Sequence, residues 1–408
     1  MTRYHAAWVL PIAQPPIRDG WVAIDAGRII AVGNHDVAAG DEMIDLGDVA
    51  VLPGLVNAHT HLELSYLRDQ VPEAPSFVSW IRALIAARRE WPDPEAPDIL
   101  DAIDRAIAEL LASGTALVGD ISNTLVTIPR LVQSPLAAVV FYELIRFAAD
   151  DAYDLVAKAQ ADLAAKKRSD RVRTMLAAHA PYSVSSLLFR AIRESIDRDP
   201  ATRCSVHLSE SREEMQFIAD GTGPWRQLLE ELGAWDPRWK APGVSPVQYL
   251  DDAGFLDSRV LTVHGVHVTQ SDLSSLSARG ATVVACPRSN AHTGAGTPPI
   301  ERFYESGVRV AVGTDSLAST PDLNLFAELG AMRKIAPRVP ASALLDSATR
   351  QGARALGFEA EYGTIEPRKR ARLIAVATDG PVNDVEEYLV NGVSPDRISW
   401  IEDASASR

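Results

Sequence analysis

The stretch that decides the fold is "VLPGLVNAHTHLELS", residues 51–65. It begins as an apolar β-strand and ends with His59 and His61, which one threonine separates. Side chains alternate along a strand, so residues two apart share a face. Taken alone, the pair has two interpretations: hydrogen-bonded histidines in a core, or two ligands of one metal ion. The choice depends on the residues that the fold brings beside them.

Apolar stretches of strand length alternate with amphipathic stretches along most of the chain. One helix is predicted from Phe77 onward, because apolar residues recur there every three or four positions and Ser76 can cap it. Buried strands alternating with helices are typical of a parallel sheet covered by helices, and we predict an α/β fold with a (β/α)8 TIM-type barrel. The predicted strands are 49–59, 115–122, 136–145, 172–179, 204–208, 260–266, 282–287 and 308–315.

The two ends of the chain do not follow the barrel pattern. Residues 1–52 and 362–408 are interpreted as short alternating strands with turn signals between them, as in "DGWVAIDAGRIIAVG" at 19–33. We expect both ends to pair into one small β-domain beside a barrel of residues 53–361. Two separate appendages are the alternative.

Composition narrows the classes of partner and compartment. The 408 residues carry a formal net charge of −14, which predicts no binding to nucleic acid or to anionic membranes. No apolar run approaches the roughly 20 residues of a membrane span, and we expect no signal peptide. Two cysteines, Cys204 and Cys286, provide no disulfide framework. A cytoplasmic location is therefore predicted.

The predicted strand ends carry several imidazoles and carboxylates. In a barrel of this type, functional residues lie at the carboxyl ends of the strands, so these side chains would face one mouth. Burying them together without a cation would cost several kcal/mol for each charge, on the order given by buried ion pairs. A metal ion offsets that cost, so metal ligation becomes the favoured interpretation of the opening pair. The set comprises His59, His61, His179, His207, Glu210, His264 and Asp315.

A family resemblance rests on five motifs: "PGLVNAHTHLE", "HAPYS", "HLSE", "HGVH" and "GTDS", in this order along the chain. Over residues 51–355 the chain resembles the amidohydrolase superfamily, in its branch of nucleoside and purine deaminases and chlorohydrolases. The resemblance implies a small β-sandwich built from both termini. It also implies one divalent ion, Zn²⁺ or alternatively Fe²⁺, because His179 stands where two-metal members carry a bridging lysine. The implied ligands are His59, His61, His207 and Asp315.

The same resemblance implies a hydrolytic deamination and gives roles to three residues. Glu210 would act as general acid and base toward a ring nitrogen. His264 would polarise the attacking water and stabilise the tetrahedral intermediate. Asp315 would carry a proton to the departing ammonia. Taken alone, Glu210 in "SESREE" would be a solvated carboxylate at a helix N-terminus, but it stands three residues from a predicted ligand.

The shorter motifs "HLELS", "CPRSN" and "TDSLAS" resemble the aminodeoxyfutalosine deaminases of menaquinone biosynthesis. Relatives acting on S-adenosylhomocysteine or methylthioadenosine tend to carry a glutamate where this chain has Ser79. Arg288 is predicted to bind a substrate carboxylate, since a guanidinium pairs with it bidentately; a surface arginine is the alternative. The candidate substrate contacts are Glu63, His179, Arg288 and Ser289.

Other functions remain open at this point. One is a deaminase of S-adenosylhomocysteine, methylthioadenosine or another aminated heterocycle. Another is a chlorohydrolase or cyclic amidohydrolase of the same fold. A non-catalytic binder of small molecules is disfavoured, because binding alone needs no proton shuttle such as Glu210. We expect a small-molecule substrate and a homodimer.

Overall fold

The computed structural model describes residues 1–34, 42–166 and 169–401. In chain order, its strands are β1 Thr2–Val9, β2 Ile17–Asp25, β3 Arg28–Gly33, β4 Glu42–Asp45, β5 Val49–Pro53, β6 Leu55–Thr60, β7 Thr115–Ser122, β8 Ala137–Leu144, β9 Val172–Ala178, β10 Cys204–Leu208, β11 Val260–His264, β12 Thr282–Ala285, β13 Arg309–Val312, β14 Leu373–Ala377 and β15 Ile398–Trp400.

The helices alternate with the strands of the central part. In chain order, they are α1 Phe77–Arg89, α2 Pro97–Ala112, α3 Thr127–Gln133, α4 Ala152–Ala164, α5 Ser186–Ile196, α6 Arg212–Asp220, α7 Pro224–Glu231, α8 Pro246–Asp252, α9 Gln270–Arg279, α10 Pro287–His292, α11 Ile300–Glu305, α12 Leu325–Ile335, α13 Ala341–Asp346, α14 Gly352–Ala355 and α15 Val385–Val390. The predicted helix after Ser76 is α1, and the Ser76 hydroxyl accepts a hydrogen bond from the Ser79 N–H.

Two four-stranded parallel sheets form the centre of the molecule. Their strand orders are β6-β7-β8-β9 and β10-β11-β12-β13. Backbone hydrogen bonds pass from one sheet to the other: His207 N–H donates to His179 O at 2.8 Å, and Asp315 N–H donates to His59 O at 3.1 Å. The carboxyl ends of the strands therefore meet at one end of the molecule.

A third sheet collects strands from both ends of the chain. Its order is β15-β14-β5-β1-β2-β3, and β4 pairs with β1. The terminal segment expected to consist of strands also contains the helix α15. The described strands of this region form one sheet, so the implied β-sandwich is not confirmed. The boundaries 1–52, 53–361 and 362–408 stay predictions, and residues 35–41 and 402–408 lie outside the described residues.

The prediction of one strand at 49–59 was wrong in one respect. The segment forms two strands: β5 belongs to the sheet built from both chain ends, and β6 belongs to a parallel sheet. Gly54 separates them. A Cβ on Gly54 would lie 2.6 Å from the Ala116 Cβ and 3.0 Å from the Trp400 ring, so only glycine lets the chain pass here. The apolar pattern does not indicate this break, because both strands are buried and the apolar run continues across it.

The apolar side chains divide into a main core and smaller clusters. One smaller cluster packs α1, α6 and α7 over the carboxyl ends of the strands, with Phe77, Trp80, Phe217 and Trp225 among its members. We call this cluster the cap. Within the described part of the chain, no helix is both long and apolar enough to cross a lipid bilayer.

Gly54→Ala should destabilise the protein, because the added methyl group would overlap Ala116. Overpacking of this kind costs about 1–3 kcal/mol, and urea unfolding would measure it. Gly330→Ala is the matched control: the nearest atom to its added Cβ lies at 3.5 Å, and the residue is in α12. Equal midpoints for the two variants would contradict the role given to Gly54.

Candidate active site

The carboxyl ends of β6, β10, β11 and β13 bring ionisable side chains together. His59 is the last residue but one of β6, His61 lies just beyond the strand, and Asp315 follows β13. The His59 Nε2 atom lies 3.2 Å from His61 Nε2. The Asp315 Oδ1 atom lies 3.8 Å from the first of these nitrogens and 3.5 Å from the second. The opening pair of histidines therefore converges on a carboxylate, as metal ligands do.

The spacing of these atoms fits a metal ion. Two nitrogen ligands of a tetrahedral Zn²⁺ lie about 3.3 Å apart, given Zn–N bonds of about 2.0–2.1 Å. Candidate ligand atoms of His59, His61 and Asp315 all lie within 4.8 Å of one another, and so do those of His59, His207 and His264. The two groups share His59, so they define one locus that contains all four predicted ligands.

Burial keeps the imidazoles of this locus neutral, which is the form that binds a metal. Burial, with smaller contributions from the nearby His179 and Arg88, lowers the pKa of His61 to about 3. Burial also lowers the pKa of His207 to about 4. The pKa of His59 falls well below its ordinary value, first through burial and then through the other imidazoles.

Backbone geometry aims these side chains. His264 and Asp315 both have left-handed backbones, with φ of 77° and 61°. Such φ values are uncommon for residues other than glycine and collect at functional sites. Thr60 donates its hydroxyl to Asp315 O at 3.0 Å, which ties β6 to the loop that carries the carboxylate. At Gly313 a Cβ would lie 2.7 Å from His59 O, so glycine permits this close approach.

Glu210 lies beside the locus. Its Oε1 atom is 3.4 Å from His264 Nε2, and both side chains are buried. Burial raises the pKa of Glu210 well above its ordinary value, and the charges of Asp315 and Glu214 raise it further. Glu214 accepts hydrogen bonds from the N–H groups of Ser209 and Glu210, which fixes the turn that carries the side chain.

His264 and Asp315 are held from behind by residues of α10. Asn290 Nδ2 lies 2.9 Å from His264 Nδ1. With the amide as donor, the neutral ring carries its proton on Nε2, which faces Glu210. Ser289 is fully buried and donates to Asp315 Oδ2 at 2.5 Å. The predicted contact of Ser289 with substrate stays a prediction; in the structure this residue orients a candidate ligand.

Two other predicted substrate contacts have protein partners in the structure. Glu63 accepts hydrogen bonds from the end of β7, including both the Ser122 and Thr124 hydroxyls at 2.7 Å. Arg288 donates to Glu328 at 2.6 Å and to Asp322 at 2.9 Å. Because these carboxylates occupy its guanidinium, the structure does not bring Arg288 to the locus. Its contact with a substrate carboxylate stays a prediction.

The structure adds a buried carboxylate that the sequence reasoning missed. Glu143 lies near the end of β8, and its Oε1 atom is 3.5 Å from His207 Nδ1. The same Nδ1 atom lies 3.0 Å from His179 O, so the Nε2 atom is left to face the locus. Acceptors behind an imidazole fix its tautomer and ring orientation in metal sites. The available signal was a glutamate inside an apolar strand, "FYEL" at 141–144.

The locus opens onto a cavity of about 60 Å³ lined by His61, His207, Glu210, His264 and Asp315 together with residues of the cap. His179 also lines it, and its contact with a substrate stays a prediction. Candidate ligands and the predicted proton shuttle therefore line the same small cavity.

Comparisons with known proteins agree with this geometry. The model of the amidohydrolase family matches residues 50–397. A 5-methylthioadenosine/S-adenosylhomocysteine deaminase of Moorella thermoacetica is 31% identical over 401 residues, covering 94% of this chain and 88% of that protein. Helicobacter pylori aminofutalosine deaminase in complex with methylthio-coformycin matches with a TM-score of 0.84 at 26% identity, over 96% of this chain and 95% of that chain.

A second solved structure is an adenosine deaminase from Xanthomonas campestris with bound zinc. It matches with a TM-score of 0.81 at 27% identity, over 97% of this chain and 90% of that chain. These neighbours imply that the two parallel sheets belong to an α/β fold of the TIM-barrel type.

Purified protein should contain about one equivalent of a divalent metal per chain, the stoichiometry of a mononuclear site. His207→Ala should lose most of it, because one of the converging imidazoles is removed, and elemental analysis would measure the loss. His267→Ala is the control, since His267 faces Ala295 O at 2.8 Å instead of the locus. Full metal occupancy in His207→Ala would remove this residue from the ligand set.

Proposed function

The chain belongs to the amidohydrolase family, and on that premise we propose that it releases ammonia from an aminated purine nucleoside in a metal-dependent reaction. The observation that carries the proposal is the buried Glu210 carboxyl, 3.4 Å from His264 Nε2 and beside the locus of candidate ligands. A hydrolase acting on C–N bonds needs such a group, because the departing nitrogen must gain protons.

We propose that His59, His61, His207 and Asp315 hold one ion, Zn²⁺ or alternatively Fe²⁺. When bound, such an ion supplies Lewis-acid activation of water. Glu210 moves a proton to the ring nitrogen next to the amino-bearing carbon. His264 donates from Nε2 to the oxygen that attacks this carbon. As the C–O bond forms and the C–N bond breaks, Asp315 takes a proton from the attacking water and passes it to the departing ammonia.

The finer proposal is that the substrate is aminodeoxyfutalosine and that the reaction belongs to menaquinone biosynthesis. The motifs "HLELS", "CPRSN" and "TDSLAS" support it, as does the similarity to the aminofutalosine deaminase structure. Ser79 supports it as well, because this residue offers a hydroxyl 2.8 Å from Ser76 Oγ and no carboxylate.

A second candidate is deamination of methylthioadenosine or S-adenosylhomocysteine, which the names of the sequence relatives favour. A chlorohydrolase or cyclic amidohydrolase reaction would use the same locus. A non-catalytic binder of small molecules is disfavoured, because binding alone needs no proton transfer by Glu210 and His264. The homodimer and the cytoplasmic location are part of the proposal. The unpaired Cys204 and Cys286, both buried, agree with a reducing compartment.

Glu210→Gln should retain the metal but lose deamination by at least about 10²-fold, because the amide cannot move the proton. Ammonia release and metal content would be measured on the same preparation. Glu213→Gln, a neighbour of similar chemistry in α6, should stay close to the wild type. Near-normal turnover in the metal-loaded Glu210→Gln enzyme would contradict the proposed role.

A substrate panel separates the two candidates. We expect kcat/KM for aminodeoxyfutalosine to exceed those for methylthioadenosine and S-adenosylhomocysteine by at least about tenfold, the effect of about 1.4 kcal/mol in transition-state binding. The reverse order would select the second candidate. Release of chloride from a chlorinated ring, without ammonia from any nucleoside, would instead select the chlorohydrolase reaction.

A further inference from the structure

A cavity of about 510 Å³ adjoins the cavity of the locus. Both are lined by Ile81, Leu84, His179 and Tyr182, so a molecule bound in one can extend into the other. The larger volume lies in the range that is typical of small-molecule sites, whereas the cavity at the locus, which we call the inner cavity, is much smaller than such sites. We call the larger space the outer cavity. The structure therefore has room for a substrate that extends well beyond its reacting end.

The walls of the outer cavity are mainly apolar. They come from α1, the segment after β8, and α7. Ile145 and Leu232, two of the lining residues, remain 47% and 43% exposed, which is a large apolar exposure for side chains grouped at one opening. Tyr182 and Trp225 also line the outer cavity, and their rings stack on each other with centroids 3.7 Å apart. A planar apolar group fits such walls.

Two indole N–H groups lack partners at these cavities. Trp225 lines the outer cavity and Trp80 lines the inner one. Both Nε1 atoms are buried, and neither has a hydrogen-bond partner among the described residues. Buried donors of this kind are nearly always paired in complete structures.

Two arginines line the outer cavity and give it a positive charge. Arg146, in the segment after β8, lies 3.7 Å from Asp151 Oδ1 at the exposed surface. Arg88 is in the last turn of α1, beside the locus. Its guanidinium donates to Asn123 Oδ1 at 3.4 Å and lies 3.7 Å from Glu63 Oε1. These are long contacts for a group with five donors, and Glu63 already accepts shorter bonds from the end of β7. Arg288, by comparison, makes short contacts with two protein carboxylates.

We propose that the outer cavity binds an aromatic substituent at the 5′ end of the nucleoside, and that Arg88 binds an anionic group on this substituent. The inference rests on the proposed function, because it places the purine at the locus. It assigns to Arg88 the contact predicted for Arg288. Arg88 is then a residue that determines specificity, and it takes no part in the proton transfers.

The test compares two adenine nucleosides that differ in one group: one carries a 5′ carboxyphenyl substituent and the other its neutral carboxamide. The wild type should prefer the acid by about 10- to 100-fold in kcat/KM, mainly through KM, which is the effect of a charge-assisted contact. Arg88→Met should bring this ratio close to 1, and Arg88→Lys should restore part of it. Arg89→Met is the matched control, since Arg89 is exposed on the same helix and should keep the full ratio.

Ile145→Trp tests the cavity by a second route that carries little risk to folding, because Ile145 is half exposed. It should lower kcat/KM for both aryl nucleosides more than for adenosine. Equal kcat/KM for acid and amide in the wild type, or an unchanged ratio in Arg88→Met, would overturn the role of Arg88. Equal losses on all three nucleosides in Ile145→Trp would overturn the placement of the substituent. Ammonia release from none of them by the wild type would instead overturn the proposed function.

Discussion

The structure depends on the burial of four imidazoles and two carboxylates around one small space at the strand ends. Removing these groups from water opposes a charge on each, so the pKa values of the histidines fall and those of Glu210 and Asp315 rise. Burying neutral imidazoles beside carboxylic groups does not by itself stabilise the folded protein. The divalent cation that we propose would bind four of them, His59, His61, His207 and Asp315, and this would give the chain a reason to gather them here.

Much of the surrounding sequence serves to hold these groups in place. Ser289 and Asn290 support Asp315 and His264, and Glu143 lies behind His207. Left-handed backbone at His264 and Asp315 adds local strain that the sheets must offset. Several polar residues that the motifs make prominent therefore orient other side chains, and their own hydrogen bonds are with protein.

The proposed deamination chemistry and the proposed binding of the substituent use different parts of the chain. The locus is formed by strand ends, whose positions are fixed by sheet hydrogen bonds. The outer cavity is formed by α1, α7 and the segment after β8, and Arg82 of α1 pairs with Glu231 of α7. Changes in the cap could alter the accepted substituent without moving the ligands. This separation agrees with relatives that are named as deaminases of different nucleosides.

The sequence by itself determined the strand-helix alternation, the family and the ligand candidates. Each of these depends on local periodicity or on residues two to three apart, such as His59 and His61 or His207 and Glu210. Tertiary structure alone decided the break at Gly54, because the close approach of Ala116 comes from a distant segment. It also decided that Arg88, and not Arg288, lines a cavity beside the locus. The carboxylates of Glu328 and Asp322 that occupy Arg288 are 40 and 34 residues away, so only folding brings them together.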